Sequence, residues 1–183
     1  VPGYLAEAIG LNRYGLEGND ESPADDHLLY MEGGNYMTDG AGTCILSDDV
    51  PDDNADVGNS SANTFEEVEE MLQLYLGCET IIWLNAIPQT STGHVDLGAK
   101  LLTETDVIVI DFDTTDGPSG TVNTVVDENA TTLENAGFTV HRTIIHPILD
   151  GGWGWTYYTY TNSVMLNYIV LVPIYNVSPY DED

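Results

Sequence analysis

The sequence predicts an α/β fold assembled from a repeated strand–strand–helix–strand unit. Three observations carry that expectation. Amphipathic helices are expected at 64–76 and at about 121–136, each followed by a strand, at 80–84 and 138–143. Hairpins are expected at 95–102 with 107–112 and at 158–166 with 169–173, so the pattern recurs with a period of roughly 60 residues. At 183 residues and 42% hydrophobic, the chain can bury a core, and one domain or a large part of one is the default.

Each element has its own signal. Glu32-Gly33-Gly34-Asn35-Tyr36-Met37-Thr38-Asp39-Gly40 is a polar knot, followed by Gly42-Thr43 and a strand that contains Cys44. Asp39 before Gly40 is a turn pair. Asp52-Asp53-Asn54-Ala55-Asp56-Val57-Gly58 is similar to a calcium loop, but Val57 stands where the turn glycine belongs and Asn63 where the closing Glu belongs. It reads as a solvated acidic insertion. Thr64 and Glu67 make a capping box, Phe65, Val68, Leu72, Tyr75 and Leu76 form one stripe, and Gly77 stops the helix. Gly93-His94-Val95-Asp96 reads as the start of a strand, whose alternation would point His94 and Asp96 to one face. The hairpin it opens turns through Thr103-Glu104-Thr105-Asp106. In the second helix Val122, Val125, Val126, Leu133 and Ala136 face inward, and Gly137 ends it. Gly151-Gly152-Trp153-Gly154-Trp155 is either an aromatic rim or a packed surface turn. Residues 3–9 resemble the last turns of a helix, and Ser178-Pro179 opens another. A piece cut at both ends is therefore expected.

Charge excludes whole classes of partner. Thirty-one acids face three bases, Arg13, Lys100 and Arg142, for a formal net charge of -28. Such a surface repels nucleic acid and anionic membranes and attracts cations. Solubility or a saline habitat accounts for the overall charge, with steering of a cationic substrate as a by-product. No apolar run approaches the ~20 residues of a membrane-spanning helix, and Asn167 and Pro173 interrupt the apolar stretch at 164–175. Cys44 and Cys78 are too few for a disulfide scaffold. They read as small buried hydrophobes or as one bridge, which leaves the redox compartment open. His27, His141 and His146 belong to no constellation.

Taken in order, four blocks resemble one family. Glu32 to Thr43 is similar to the "EGGN…DG.GT" block of bacterial peptidylarginine deiminases and agmatine deiminases. The helix ending Tyr75-Leu76-Gly77, with Thr80-Ile81-Ile82-Trp83-Leu84, resembles the segment that follows there. Gly93-His94-Val95-Asp96 resembles the "GH(I/V)D" element, and Tyr160-Thr161-Asn162-Ser163 with Val170-Leu171-Val172-Pro173 resembles the "YTNS…VFVP" hairpin. The match spans roughly residues 28–175, in the guanidine-modifying pentein superfamily.

That resemblance implies a five-bladed propeller of ββαβ units, of which 1–183 would be one partial domain covering roughly half: the end of one blade, about two full units and the start of another. It implies hydrolysis of a guanidinium to a ureido group and ammonia, on peptidyl-arginine or an agmatine-like substrate, with no cofactor and no metal. Glu32 and Asp96 would clamp the guanidinium, His94 would protonate the departing ammonia and then activate water, and Asn162 would support or contact the substrate. Gly33 and Gly34 would let the backbone approach the ligand. The family's cysteine nucleophile has no counterpart here, since neither Cys44 nor Cys78 falls at its position. The competing reading is a non-catalytic pentein-derived module for binding or assembly. On either reading the remainder of the propeller, or another chain, would cover open strand edges. An extracellular or cell-surface bacterial location is favoured over the cytoplasm.

Overall fold

Two copies of a ββαβ unit are laid end to end in the chain. The computed structural model describes residues 29–56, 62–88, 90, 92–112, 120–145, 147–150, 154–166 and 169–176. In the first unit β1 (Tyr36–Thr38) runs antiparallel to β2 (Thr43–Ser47), and β2 runs parallel to β3 (Thr80–Leu84). Two helices connect β2 to β3: α1 (Val50–Asp56) and α2 (Phe65–Met71), the latter prolonged by a π-helical turn, Leu72–Leu76. The second unit repeats the scheme. In it β4 (Ala99–Leu101) is antiparallel to β5 (Asp106–Phe112), which is parallel to β6 (Thr139–Ile145) across α3 (Gly120–Asn135). Beyond it lie two hairpins, β7 (Pro147–Asp150) with β8 (Gly154–Tyr157), and β9 (Val164–Leu166) with β10 (Ile169–Leu171).

Strand alternation sorts the side chains into two cores. Cys44 and Leu46 of β2 face α2, where they pack with Val50, Val68, Met71 and Leu72. Ile45 between them faces the other way, together with Ile82 and Leu84 of β3. That second core continues through Val107 and Val109 of β5 to Val122, Val126 and Leu133 of α3. The outer face of the first sheet thus closes on the second unit, which fixes the two units against each other. Cross-unit hydrogen bonds add to this: Asn129, 4% exposed, accepts from the Asn85 N–H at 2.8 Å and donates to the Asn85 carbonyl at 2.8 Å.

Several elements depart from the expectation. The capping box on Thr64 and Glu67 is present, with Glu67 N–H donating to Thr64 Oγ1 at 3.2 Å. Yet Phe65, Tyr75 and Leu76 of the expected inward stripe are exposed, the last two because the π-helical turn rotates them off the α-helical face. Phe65 instead packs edge-on against Trp83, at 4.8 Å between ring centroids. Ala136 is likewise exposed, just past the end of α3. The acidic stretch from Asp52 to Asp56 exposes Asp52, Ala55 and Asp56, but it is ordered as helix α1, with Val50, Pro51 and Asn54 buried. Residues 158–163, expected as strand, are irregular, and the hairpin begins only at Val164. Gly154 and Trp155, read as part of a rim or turn, open strand β8, and the β7–β8 pairing itself was not expected. Residues 3–9, Arg13, His27, Gly58, His146, Gly151 to Trp153, and the helix start at Ser178 lie outside the described residues.

The two cysteines are bonded to each other. Cys44 and Cys78 form a disulfide with Cα atoms 5.7 Å apart, joining β2 to the segment before β3 within the buried core of the first unit. The sequence separation of 34 residues predicts a stabilisation of about 4 kcal/mol from loop closure. Urea unfolding with and without reductant measures it, and a difference under about 1 kcal/mol would contradict the chain-entropy account. A second device sits at the β4–β5 turn. The His141 imidazole donates to Asp106 Oδ1 at 2.9 Å, while the hydroxyls of Thr105 and Thr103 donate to Oδ2 at 2.8 and 2.9 Å. His141 first, then the two threonines, hold Asp106 well below the ordinary carboxylate range, at about 2. A depressed carboxylate stabilises the fold above its unfolded value, near ~3.9, and loses that contribution as pH falls through its folded value. Melting temperature is therefore expected to fall less steeply in Asp106→Asn than in the parent as pH drops from the unfolded value towards about 2.

Candidate active site

The site forms where the entrance to β1 meets the entrance to β4. Glu32 leaves the preceding segment with extended backbone, ψ 144°, and the chain then tightens into one 3₁₀ turn, Gly33–Asn35. Asn35 is buried, and its Oδ1 accepts from the Val95 N–H at 3.2 Å. Val95 opens the matching 3₁₀ turn, Val95–Leu97, which His94 caps. Gly93-His94-Val95-Asp96 is thus a turn, not the strand its alternation suggested. The N–H groups of Leu97 and Gly98 bond back to the carbonyls of His94 and Val95, closing the turn before β4 begins.

His94 and Asp96 nevertheless converge, and they converge on Gly34. A Cβ added there would lie 2.2 Å from His94 Nδ1 and 2.9 Å from Asp96 Oδ1. Only the missing side chain lets the imidazole and the carboxylate seat on this backbone. Nothing lies within 4 Å of the corresponding position at Gly33, so the packing against imidazole and carboxylate belongs to Gly34, while Gly33 borders open space. Gly93 faces a similar restriction: its φ is +64°, and its absent Cβ would meet Asp49 Oδ2 at 2.7 Å.

Glu32 is not a free arm across from Asp96. Its Oε2 lies 2.6 Å from His94 Nε2, and its Oε1 accepts from the Tyr30 hydroxyl at 2.9 Å. The Tyr30 hydroxyl first, then His94, hold the Glu32 carboxyl below its ordinary range. An ionised carboxylate only accepts, so Nε2 carries the proton, and in the neutral ring Nδ1, facing Gly34, is the acceptor. Asp96 has the opposite environment. It is half-buried, and its Oδ1 is buried with no hydrogen-bond partner. Burial pushes its carboxyl up, against the pull of His94 and then Lys100. Asp53 stands near the pair, raised by burial and then by the charge of Glu32.

Asn162 lies exposed in the bend before β9. That bend hangs on the His94 turn: the hydroxyls of buried Thr159 and Thr161 both donate to the Leu97 carbonyl, at 2.8 and 3.0 Å, and lie side by side. Glu32, His94 and Asp96 are therefore in one cluster, and Asn162 is linked to it through Leu97. Asp39 serves its turn, its Oδ1 accepting from the N–H groups of Ala41 and Thr43. Among the described residues no group of three or more His, Cys, Asp or Glu could hold a metal ion. A cavity of about 780 Å³ opens further along the same strands, lined by Tyr36, Asp39, Lys100, Glu104, Ser163 and Met165 among others. None of Glu32, His94 or Asp96 lines it. It adjoins the cluster without containing its chemistry.

Sequence reading missed Asn35, Tyr30 and Asn54 as parts of the site. Asn35 stood inside a quoted block, where its amide gave a signal. Asn54 gave none, since a partner at a separation of 24 residues has no trace in local pattern.

Fold and site together define a class: an α/β repeat protein with an imidazole held between carboxylates at the junction of two units. The sequence pattern of the Porphyromonas-type peptidyl-arginine deiminase family matches residues 4–183, and the chain belongs to that family. A putative agmatine deiminase of Legionella pneumophila (strain Philadelphia 1) is 41% identical over 73 residues, which is 37% of this chain and 19% of the relative. The fold is shared with a C. jejuni agmatine deiminase solved with substrate bound, at 22% identity and a TM-score of 0.66, over 82% of this chain and 44% of that one. It is also shared with a putative peptidyl-arginine deiminase, at 19% identity and a TM-score of 0.73, over 99% of this chain and 53% of that one. The chain spans about half the length of these solved structures.

The two glycines give a controlled comparison. Gly34→Ala is expected to destabilise by about 1–3 kcal/mol, because its Cβ overlaps the His94 ring, whereas Gly33→Ala should stay within about 0.5 kcal/mol of the parent. Chemical unfolding of both variants tests this, and equal midpoints would remove the seating of His94 on Gly34.

Proposed function

We propose that this chain supplies the Glu32–His94–Asp96 part of a guanidine-hydrolysing site acting on peptidyl-arginine or agmatine. One observation carries the reading: a buried carboxylate oxygen without a partner, Asp96 Oδ1, beside an imidazole that is already paired to a second carboxylate. A guanidinium is a planar fork of donors with a positive charge. It would satisfy that oxygen and offset the cost of burying the Asp96 charge. The remaining lone pairs of Glu32 can take a second guanidinium nitrogen. The chemistry itself requires a thiolate that adds to the guanidinium carbon and expels ammonia, to which His94 delivers a proton. Water, deprotonated by His94, then adds to the covalent adduct, and the thiolate leaves with a ureido product. Cys44 and Cys78 are bonded to each other, which favours a nucleophile outside this pair. The charge of -28 supports attraction of a cationic substrate.

The same reading accounts for the β9–β10 hairpin. Val164, Leu166, Ile169 and Leu171 are each more than half exposed although they are apolar. We take this hairpin as the open edge against which the remainder of a propeller, or another chain, packs. The disulfide supports an oxidising location, outside the cell or at its surface.

The full-length protein, incubated with a peptidyl-arginine and separately with agmatine, is expected to release one ammonia per ureido product, and the preferred substrate is read directly from the two rates. His94→Ala should lower turnover by at least about a hundredfold, the usual contribution of a positioned acid–base group. Asp96→Asn should chiefly weaken substrate binding. Undiminished turnover in His94→Ala, or no ammonia from either substrate, would sink the assignment.

A further inference from the structure

The Glu32 side chain is 46% exposed, so its bond to His94 must be maintained against the freedom of an exposed glutamate. The structure shows what opposes that freedom. Oε1 of Glu32 is held by the Tyr30 hydroxyl at 2.9 Å while Oε2 meets His94. Tyr30 is itself 40% exposed and lies outside any strand or helix, so it too needs an anchor. Its anchor is Asn54 of α1, which is fully buried. Asn54 Oδ1 accepts from the Tyr30 N–H at 2.7 Å, and Nδ2 donates to the Tyr30 carbonyl at 2.8 Å. The second Nδ2 proton goes to the Val50 carbonyl at 2.7 Å, within the same helix. Both N–H donors of the amide are used, and its oxygen is paired. Its orientation is also unique, since a flipped amide would face N–H to N–H and oxygen to two carbonyls.

We propose that Asn54 and Tyr30 are positioning residues: Asn54 fixes the Tyr30 backbone as a strand partner would, and the Tyr30 hydroxyl fixes Glu32 on the His94 imidazole. The proposal rests on the guanidine-hydrolase reading for its catalytic consequence but not for its geometry. It gives α1 a role, because the acidic segment is tied to the site by a buried amide. The charged and titratable groups facing Glu32 are Tyr30, His94 and Asp53. The shifts agree with the geometry: the Tyr30 bond is the main cause holding Glu32 down, and Glu32 in turn raises the Tyr30 phenol.

The test uses two readouts on the full-length protein. In Tyr30→Phe, the Glu32 carboxyl, followed by carbon-13 NMR and assigned with Glu32→Gln, should titrate at higher pH than in the parent. Turnover of the preferred guanidine substrate should fall about three- to tenfold, with little change in KM, as expected for losing one partly exposed bond to a charged group. Asn54→Ala should move both readouts the same way, and if it does not fold, Tyr30→Phe decides. A Glu32 titration unmoved in Tyr30→Phe overturns the proposal, and so does unchanged turnover when the parent is active. If the parent hydrolyses no guanidine, the functional reading fails, and the Glu32 titration alone judges the positioning.

Discussion

The seating of the Gly34–Asn35 backbone against the His94 turn is the constraint on which this site depends. Two groups make it: a missing Cβ at Gly34, and a buried amide at Asn35 that accepts from the Val95 N–H. Remove the close approach and the imidazole loses its floor; remove the amide bond and a buried N–H is left without its partner. Because Gly34 precedes β1 and His94 precedes β4, the contact also joins the two repeats at equivalent points. The site is therefore a property of the junction, and neither unit holds one alone. Asn162 extends the pattern, for it precedes β9 and its bend is tied to Leu97 by two threonine hydroxyls. Two first strands, β1 and β4, are thus entered through segments carrying the cluster, and the segment entering β9 is tied to it through the Leu97 backbone.

Electrostatics sharpens the asymmetry of the two carboxylates. Glu32 is exposed and doubly hydrogen-bonded, so it stays charged at little cost. Asp96 is half-buried, with one oxygen unpartnered, so its charge is expensive while the site is empty. Asp49 and Asp53 add further negative charge behind the pair, and both are pushed up mainly by burial. Against these carboxylates stand His94 and Lys100, and the surplus of negative charge around one unpaired oxygen favours a small cation over a neutral ligand. The overall acidity of the chain contributes to encounter, but the selectivity comes from these few groups, because charges beyond about 10 Å are screened.

Much of the architecture was legible because it rests on local pattern. β3 covers the five residues its apolar run marked, and the Thr64 capping box sits where the spacing put it. The ββαβ repeat is visible as well, since each unit must hide one face of its sheet under its own helix. What escaped was set by contacts between distant segments. His94 and Asp96 meet through a 3₁₀ turn instead of strand alternation, because Asn35 captures the Val95 N–H that a strand ladder would have used. Asp52 to Asp56 became helix because Val50 and Asn54 are buried, which no count of acids could reveal. The pairing of Cys44 with Cys78 was one of two open readings, and only their proximity across β2 and the start of β3 selected it.

The division of labour between the two carboxylates bears on how a proposed guanidine hydrolase would release its product. Glu32 has two protein partners, the Tyr30 hydroxyl and the His94 imidazole, so it contributes orientation to the imidazole. Asp96, with one oxygen that has no protein partner, would respond more strongly to a ligand. A guanidinium gives its unpartnered oxygen a charge-assisted bond, roughly twice as strong as a neutral one. Hydrolysis replaces a cationic nitrogen with a neutral carbonyl oxygen, which cannot donate. Where that oxygen faces Asp96, two acceptors meet and the bond is lost outright. Where a remaining ureido N–H faces it, the bond persists without its charge. Either way a guanidine hydrolase built on this site would hold its product less tightly than its substrate, and the partial burial of Asp96 would enlarge the difference.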